Sequence, residues 1–230
     1  MNDSSLMLIG LMIGLTIGMS ASSVGTYTSM MTSLLGYKKA QWEVITLAML
    51  VLFYIFMLVI IASLTLATII TFFSPSYLDA MYIAGPIIGI IVGLVYVRHY
   101  FWDHPIVRIT HHKTAAHKHT TKYSGYLQPL VVAATLLYVT GLPIIVSMLL
   151  LTLLAQLSGG SMITWSVSLA FGIIVPLYGV LSLVASKTKV SRVIAWKESV
   201  KTTMALYSGL AIILLSWFVL YAALIQGGNT

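Results

Sequence analysis

Three features of the sequence predict an all-α, polytopic integral membrane protein with six transmembrane helices. The composition is apolar and nearly free of charge, the apolar stretches have spanning length, and the basic residues are confined to alternate connections. Of 230 residues, 59% are hydrophobic and 7% charged. A soluble domain carries about 25% charged residues, so lipid is the main solvent of this chain. No polar stretch is long enough to fold alone, and residues 1–230 read as one membrane domain. There is no cysteine, which excludes disulfides, thiolate metal sites and thiol relays.

Apolar segments run at about 5–36, 44–74, 80–101, 125–157, 162–186 and 202–226. Each holds the roughly 20 residues needed to cross the hydrocarbon core. Several are longer, which predicts tilt or protruding ends. The first segment is too long for a signal-peptide core, lacks a basic start and is rich in Gly and Ser, so it reads as a retained helix.

All twelve Lys and Arg fall in three connections, about 37–43, 98–124 and 187–201. The alternate connections, "SPSYLD" (74–79) and "LSGGSM" (157–162), have none, and neither terminus has any. The positive-inside rule places the three basic connections in the cytoplasm and both termini outside, in a multi-pass protein of the cell membrane.

An internal repeat is also legible. The second segment reads "YIFMLVIIAS" from Tyr54 and the fourth "YVTGLPIIVS" from Tyr138, both fitting Y-x-x-x-L-x-I-I-x-S. The sixth reads "YSGLAIILLS" from Tyr207, with the central residues shifted by one. The first and third segments carry Gly10, Gly14 and Gly18, and Gly85, Gly89 and Gly93. The fifth has Gly172, Pro176 and Gly179. Glycines at i, i+4 and i+8 form a flat stripe that lets another helix approach closely. The repeat predicts three tandem helical hairpins, with glycine-rich odd helices packed centrally and bulky even helices outward.

Tandem hairpins with a glycine-rich first helix resemble the proteolipid (rotor-ring) subunits of V- and A-type ATPases. The resemblance implies a ring subunit with a carboxylate in the second helix of a hairpin, just before the aromatic position. The residues before Tyr54, Tyr138 and Tyr207 here are apolar, Thr or Ala. A ring subunit of this sequence would lack the ion-binding carboxylate.

Ionisable residues within the membrane mark pumps, proton relays and coupled transporters. Asp3 and Asp79 lie outside the spans, and Glu43, Asp103 and Glu198 sit beside basic residues. This weighs against carboxylate-coupled transport and leaves room for a channel built from carbonyls and hydroxyls. The densest hydroxyl patch is "SASSVGTYTS" (20–29), and Ser20, Ser22, Ser23 and Thr26 are its candidate polar path. The alternative role for these small polar residues is interhelical hydrogen bonding. Pro86, Pro129, Pro143 and Pro176 each remove a backbone donor, and Pro143 and Pro176 lie near a glycine.

All six histidines, His99, His104, His111, His112, His117 and His119, fall between Arg98 and Lys122. Neutral imidazole binds Zn, Ni and Cu ions, and His111, His112, His117 and His119 form the best local ligand set. Lys113, Lys118 and Lys122 interleave with them and repel a cation. The alternative is a basic segment lying on anionic headgroups or on a partner, with Tyr100, Phe101 and Trp102 as interface anchors.

No GxSxG, HExxH or Walker loop is present, and nothing points to catalysis or to a specific nucleic acid. Two classes remain. The first is a non-catalytic integral membrane subunit of a larger complex, in contact with other membrane subunits or its own copies. The second is a small permease or channel, for instance for a transition-metal ion, with a cytoplasmic His-rich loop.

Overall fold

The computed structural model describes residues 3–20, 23, 24, 27, 41–73, 75–102, 127–185 and 190–227. They form α1 (Asp3–Gly18), α2 (Gln41–Thr71), α3 (Pro75–Trp102), α4 (Leu127–Val139), α5 (Gly141–Ser158), α6 (Met162–Ala185) and α7 (Val190–Gly227). The described chain is all-helical, as the composition predicts. Five helices contain stretches long and apolar enough to cross a membrane: Ile45–Thr71, Tyr77–Arg98, Gly141–Ser158, Met162–Ser182 and Leu206–Ile225. They identify a multi-pass membrane protein whose outer surface meets the lipid bilayer. α1 is a shorter apolar helix of 16 residues.

Local chemistry explains the boundaries. α1 stops at Gly18, and Ser20 then acts as an N-cap for the next turn. The Ser23 N–H donates to the Ser20 Oγ at 3.3 Å, and the Ser23 hydroxyl donates to the Ile17 carbonyl at 2.9 Å. One serine pair thus serves both sides of the break. The apolar segment 125–157, read from sequence as one span, is divided at Thr140. Pro143 has no N–H for the Val139 carbonyl, and its ring crowds that position. The chain turns there, with Thr140 at φ −97° and its hydroxyl donating to the Leu136 carbonyl at 2.8 Å. α5 ends at Gly159, whose φ of 64° suits glycine. The Gly160 N–H donates to the Ala155 carbonyl at 3.0 Å, closing a Schellman turn. The segment 187–201, read as a connection, is mostly helix, because α7 starts at Val190 and runs for 38 residues.

α5 lies at the centre, in contact with α3, α7, α2, α1, α4 and α6. In its apolar stretch 61% of residues are buried, against 22% in that of α3. The core around it includes Leu150, Leu151, Leu153, Leu154, Trp165, Leu169 and Ile173. The expected order of odd helices inside and even helices outside is therefore overturned for α3 and α5. The tandem-hairpin arrangement is corrected too. The two most extensive pairings are α1 with α6 and α3 with α7, which are not neighbours in sequence. The cause is steric: a glycine stripe needs a partner that is itself narrow, and α6 and α7 supply the narrow surfaces.

Candidate functional site: two glycine seams

The first seam joins α1 to α6. A Cβ at Gly10 would lie 3.0 Å from the Trp165 carbonyl oxygen, and one at Gly18 2.5 Å from that of Ile173. A Cβ at Gly14 would sit against the Leu169 carbonyl, 2.8 Å from the Gly172 Cα. The relation is reciprocal, since a Cβ at Gly172 would lie 2.7 Å from the Gly14 Cα. Four residues along α1 match four along α6, so the two helices run parallel. At their closest point backbone rests on backbone, and the Gly14 hydrogen in place of a Cβ faces a carbonyl. Contacts of this kind are worth about 0.5–1 kcal/mol each.

At one end the pair is clamped: the Ser161 N–H, at the start of α6, donates to the Asp3 carboxylate at 2.9 Å. A carboxylate beside the N-terminus of a helix also favours its dipole. Next to it, the Gly160 backbone packs on Leu6.

The second seam joins α3 to α7 and α5. A Cβ at Gly93 would meet the Gly209 carbonyl at 2.7 Å and Ile213 at 2.5 Å. One at Gly89 would fall on the Ser216 hydroxyl, 3.0 Å from Leu150. One at Gly85 would lie 2.8 Å from Leu153. Partners on α7 fall in number as α3 rises, so this pair is antiparallel. The two seams are linked where the Ser208 hydroxyl on α7 donates to the Thr16 carbonyl on α1 at 3.2 Å.

The structure thus brings Gly10, Gly14 and Gly18 together with Ser168 and Gly172, and Gly85, Gly89 and Gly93 with Gly209 and Ser216. The sequence reading did not single out Ser168 or Gly209, and Ser216 entered it only as the closing serine of the third repeat. Ser168 and Gly172 are four residues apart, and that small-x-x-x-small spacing was the available signal.

Most interior hydroxyls serve the backbone. Ser63, Thr152, Ser166, Ser168 and Ser216 each donate to the carbonyl four residues back, at 2.6–2.8 Å. The Tyr27 hydroxyl donates to the Ala48 carbonyl at 3.3 Å. Ser63, Ser147 and Ser216, the serines that close the three repeats, are all fully buried. Among the described residues, the Ser147 hydroxyl and the Trp165 indole N–H are buried without a hydrogen-bond partner.

Ser20 and Ser23, from the candidate polar path, are bonded to each other at 2.9 Å. Ser22 and Thr26 lie outside the described residues. So do His104 and the proposed metal ligands His111, His112, His117 and His119, while His99 is placed only as part of the α3 backbone. Among the described residues no group of three His, Cys, Asp or Glu side chains converges. Comparison with protein-family models, curated proteins and solved structures finds no match to this chain.

Proposed function

We propose that this chain is a non-catalytic integral membrane subunit of a larger membrane protein complex. It packs through its glycine-rich helices and presents basic connections to partner proteins or anionic headgroups. The observation that carries this reading is the close approach along the two glycine seams, backbone on backbone in the first. A carrier must rock one group of helices against another to expose its site on each side in turn. Here α1 rests on α6 backbone to backbone at Gly14 and Gly172, and α3 meets α7 closely through Gly93, Gly209 and the Ile213 and Ser216 side chains. Such a bundle suits a scaffold better than a moving gate.

The reading includes six crossings with both termini outside. Two features support it. α1 runs parallel to α6 along its length and therefore shares its depth. α4 and α5 follow one another through Thr140 as a single broken crossing. Twelve basic residues then fall on one side and none on the other.

A second reading, a small permease or channel, is favoured by one observation. Ser147 and Trp165 hold polar atoms in the core without partners, and such atoms are the natural contacts for a polar substrate. A Zn, Ni or Cu ion held at the His-rich segment belongs to this reading.

Native mass spectrometry of the protein, gently extracted from its own membrane, separates the two. Stoichiometric foreign subunits bound to the 25.1 kDa chain are expected. A lone chain or a homo-oligomer would sink the subunit reading and leave transport.

A further inference from the structure

Residues 103–126 divide the chain into halves. Before them come α1, α2 and α3. After them come α4 and α5 as one broken crossing, then α6 and α7. Three crossings are an odd number, so the second half enters the membrane from the opposite side. α1 then answers to α4–α5, α2 to α6, and α3 to α7.

Exchanging the halves leaves most pairings in place. α3 on α7, α2 on α6 and α1 on α5 map onto themselves. α1 on α7 maps onto α5 on α3, and α1 on α6 onto α4–α5 on α2, and all of these are formed. A pairing that maps onto itself must meet at matching points, and two of them do. A Cβ at Gly93 would lie 2.7 Å from the Gly209 carbonyl oxygen, and a Cβ at Gly209 2.7 Å from that of Gly93. Phe56 of α2 meets Phe171 of α6 edge to face at 5.1 Å. Each ring lies within two residues of the middle of its apolar stretch, Ile45–Thr71 or Met162–Ser182. The leading crossing is broken in both halves, after Gly18 and at Thr140.

The halves differ in how closely they fit. α1 closes on α6 through Gly10, Gly14, Gly18 and Gly172. Its counterpart, α4–α5 on α2, is far less extensive. α2 buries Val51, Leu52, Ile55 and Val59, and side chains of that size hold helix axes about 8–10 Å apart. α5 also packs on α7, while the counterpart pairing of α1 on α3 is not extensive among the described residues.

Inverted repeats offer two arrangements, in which one half rocks against the other. In the second one here, α4–α5 would close on α2 as α1 now closes on α6. Branched side chains cannot reproduce a backbone contact, and the glycine groove of α1 would lose the atoms that fill it. We infer that this chain is an inverted repeat, two three-helix halves related by a two-fold axis in the membrane plane, locked by its sequence in one of the two arrangements. It has the plan of a carrier without the exchange that carriage needs. The inference rests on the six crossings and the subunit role proposed above, and it gives that role a physical basis.

The chain has no cysteine, so spin labels can be placed in pairs at lipid-facing positions. Leu8 with Val175 spans α1 and α6, and Ile61 with Val131 spans α2 and α4, all between 42% and 63% exposed. Double electron–electron resonance is recorded in lipid nanodiscs and again on the protein gently extracted from its own membrane. One distance population is expected for each pair, the same in both preparations. A second population, with Leu8–Val175 longer and Ile61–Val131 shorter, overturns the lock, and so does a shift of either distance between preparations. An impermeant maleimide should reach Ser4→Cys and Thr230→Cys from outside the cell but not Thr114→Cys. Labelling of all three from outside would mean that the halves are not inverted, and the inference falls. A lone chain by native mass spectrometry, with single distance populations, would refute the subunit reading and leave the locked repeat intact.

Discussion

Gly14→Ala is the sharpest perturbation of the fold. Its Cβ would sit 2.8 Å from the Gly172 Cα and 3.0 Å from the Ile173 nitrogen, and closer still to the Leu169 carbonyl. Carbon atoms rest at about 3.5–4.0 Å, so α1 must retreat by about 1 Å. Every atom it meets is backbone in a long helix, so no side chain can rotate aside. A gap of that size forfeits a quarter to a half of each dispersion contact along the seam. Overpacking of this kind costs about 1–3 kcal/mol, and about 2 kcal/mol is expected. The opposing gain in helix propensity, about 1 kcal/mol in water, shrinks in a membrane. There the unfolded reference keeps its helices, because lipid offers no other partner for the backbone. The assay is reversible unfolding in mixed micelles titrated with SDS. Gly141→Ala and Gly179→Ala serve as controls, since a Cβ there meets nothing within 4 Å. Both controls should stay within about 0.5 kcal/mol of the parent. If Gly14→Ala matches them, α1 and α6 do not meet backbone to backbone, and the first seam is wrong.

The second seam is tested by a double-mutant cycle. Gly89→Ala alone should destabilise by about 1–3 kcal/mol, and Ser216→Ala should relieve part of this by removing the hydroxyl in its way, giving a coupling of about 0.5–3 kcal/mol; strict additivity would separate the two residues. Replacing His111, His112, His117 and His119 together with Ala should abolish any sub-micromolar zinc binding seen by titration calorimetry, and undiminished binding would move the ion elsewhere. The cysteine-free chain also suits accessibility mapping. In intact cells a membrane-impermeant maleimide should label Asp79→Cys and Thr230→Cys but not Lys197→Cys, and the reverse pattern would invert the topology.

The class of the fold was legible because it rests on solvent. Seven per cent charge and long apolar runs admit few structures other than a membrane bundle, whatever packs on what. Breaks were legible only where a backbone rule acts locally. Pro143 marks the division at Thr140, although an unbroken apolar run hides it from any hydropathy reading. The start of α7 at Val190 was missed for the opposite reason. Lys197, Glu198 and Lys201 read as a connection because they are charged, yet charge does not end a helix, and no residue from 190 to 205 does so.

Partner choice was the least legible level, and the physics explains why. In water, apolar faces would identify which helices seek burial, but lipid is as apolar as Leu, so hydrophobicity ranks no pairing above another. What remains is shape. The stripes Gly10–Gly14–Gly18 and Gly85–Gly89–Gly93 announce that something comes close, and sequence order suggests the next helix. For the first stripe the next helix does not fit: between its small buried residues Ala48 and Ser63, α2 presents Val51, Leu52, Ile55 and Val59, too bulky for backbone contact; the second stripe does touch α5, but through the Leu150 and Leu153 side chains. Ser168 and Gly172 on α6, and Gly209 on α7, are small enough at the required depths, and the antiparallel and parallel registers follow from where those few residues stand. A pairing set by the fit of small residues across distant segments can be read only when both sides are considered together.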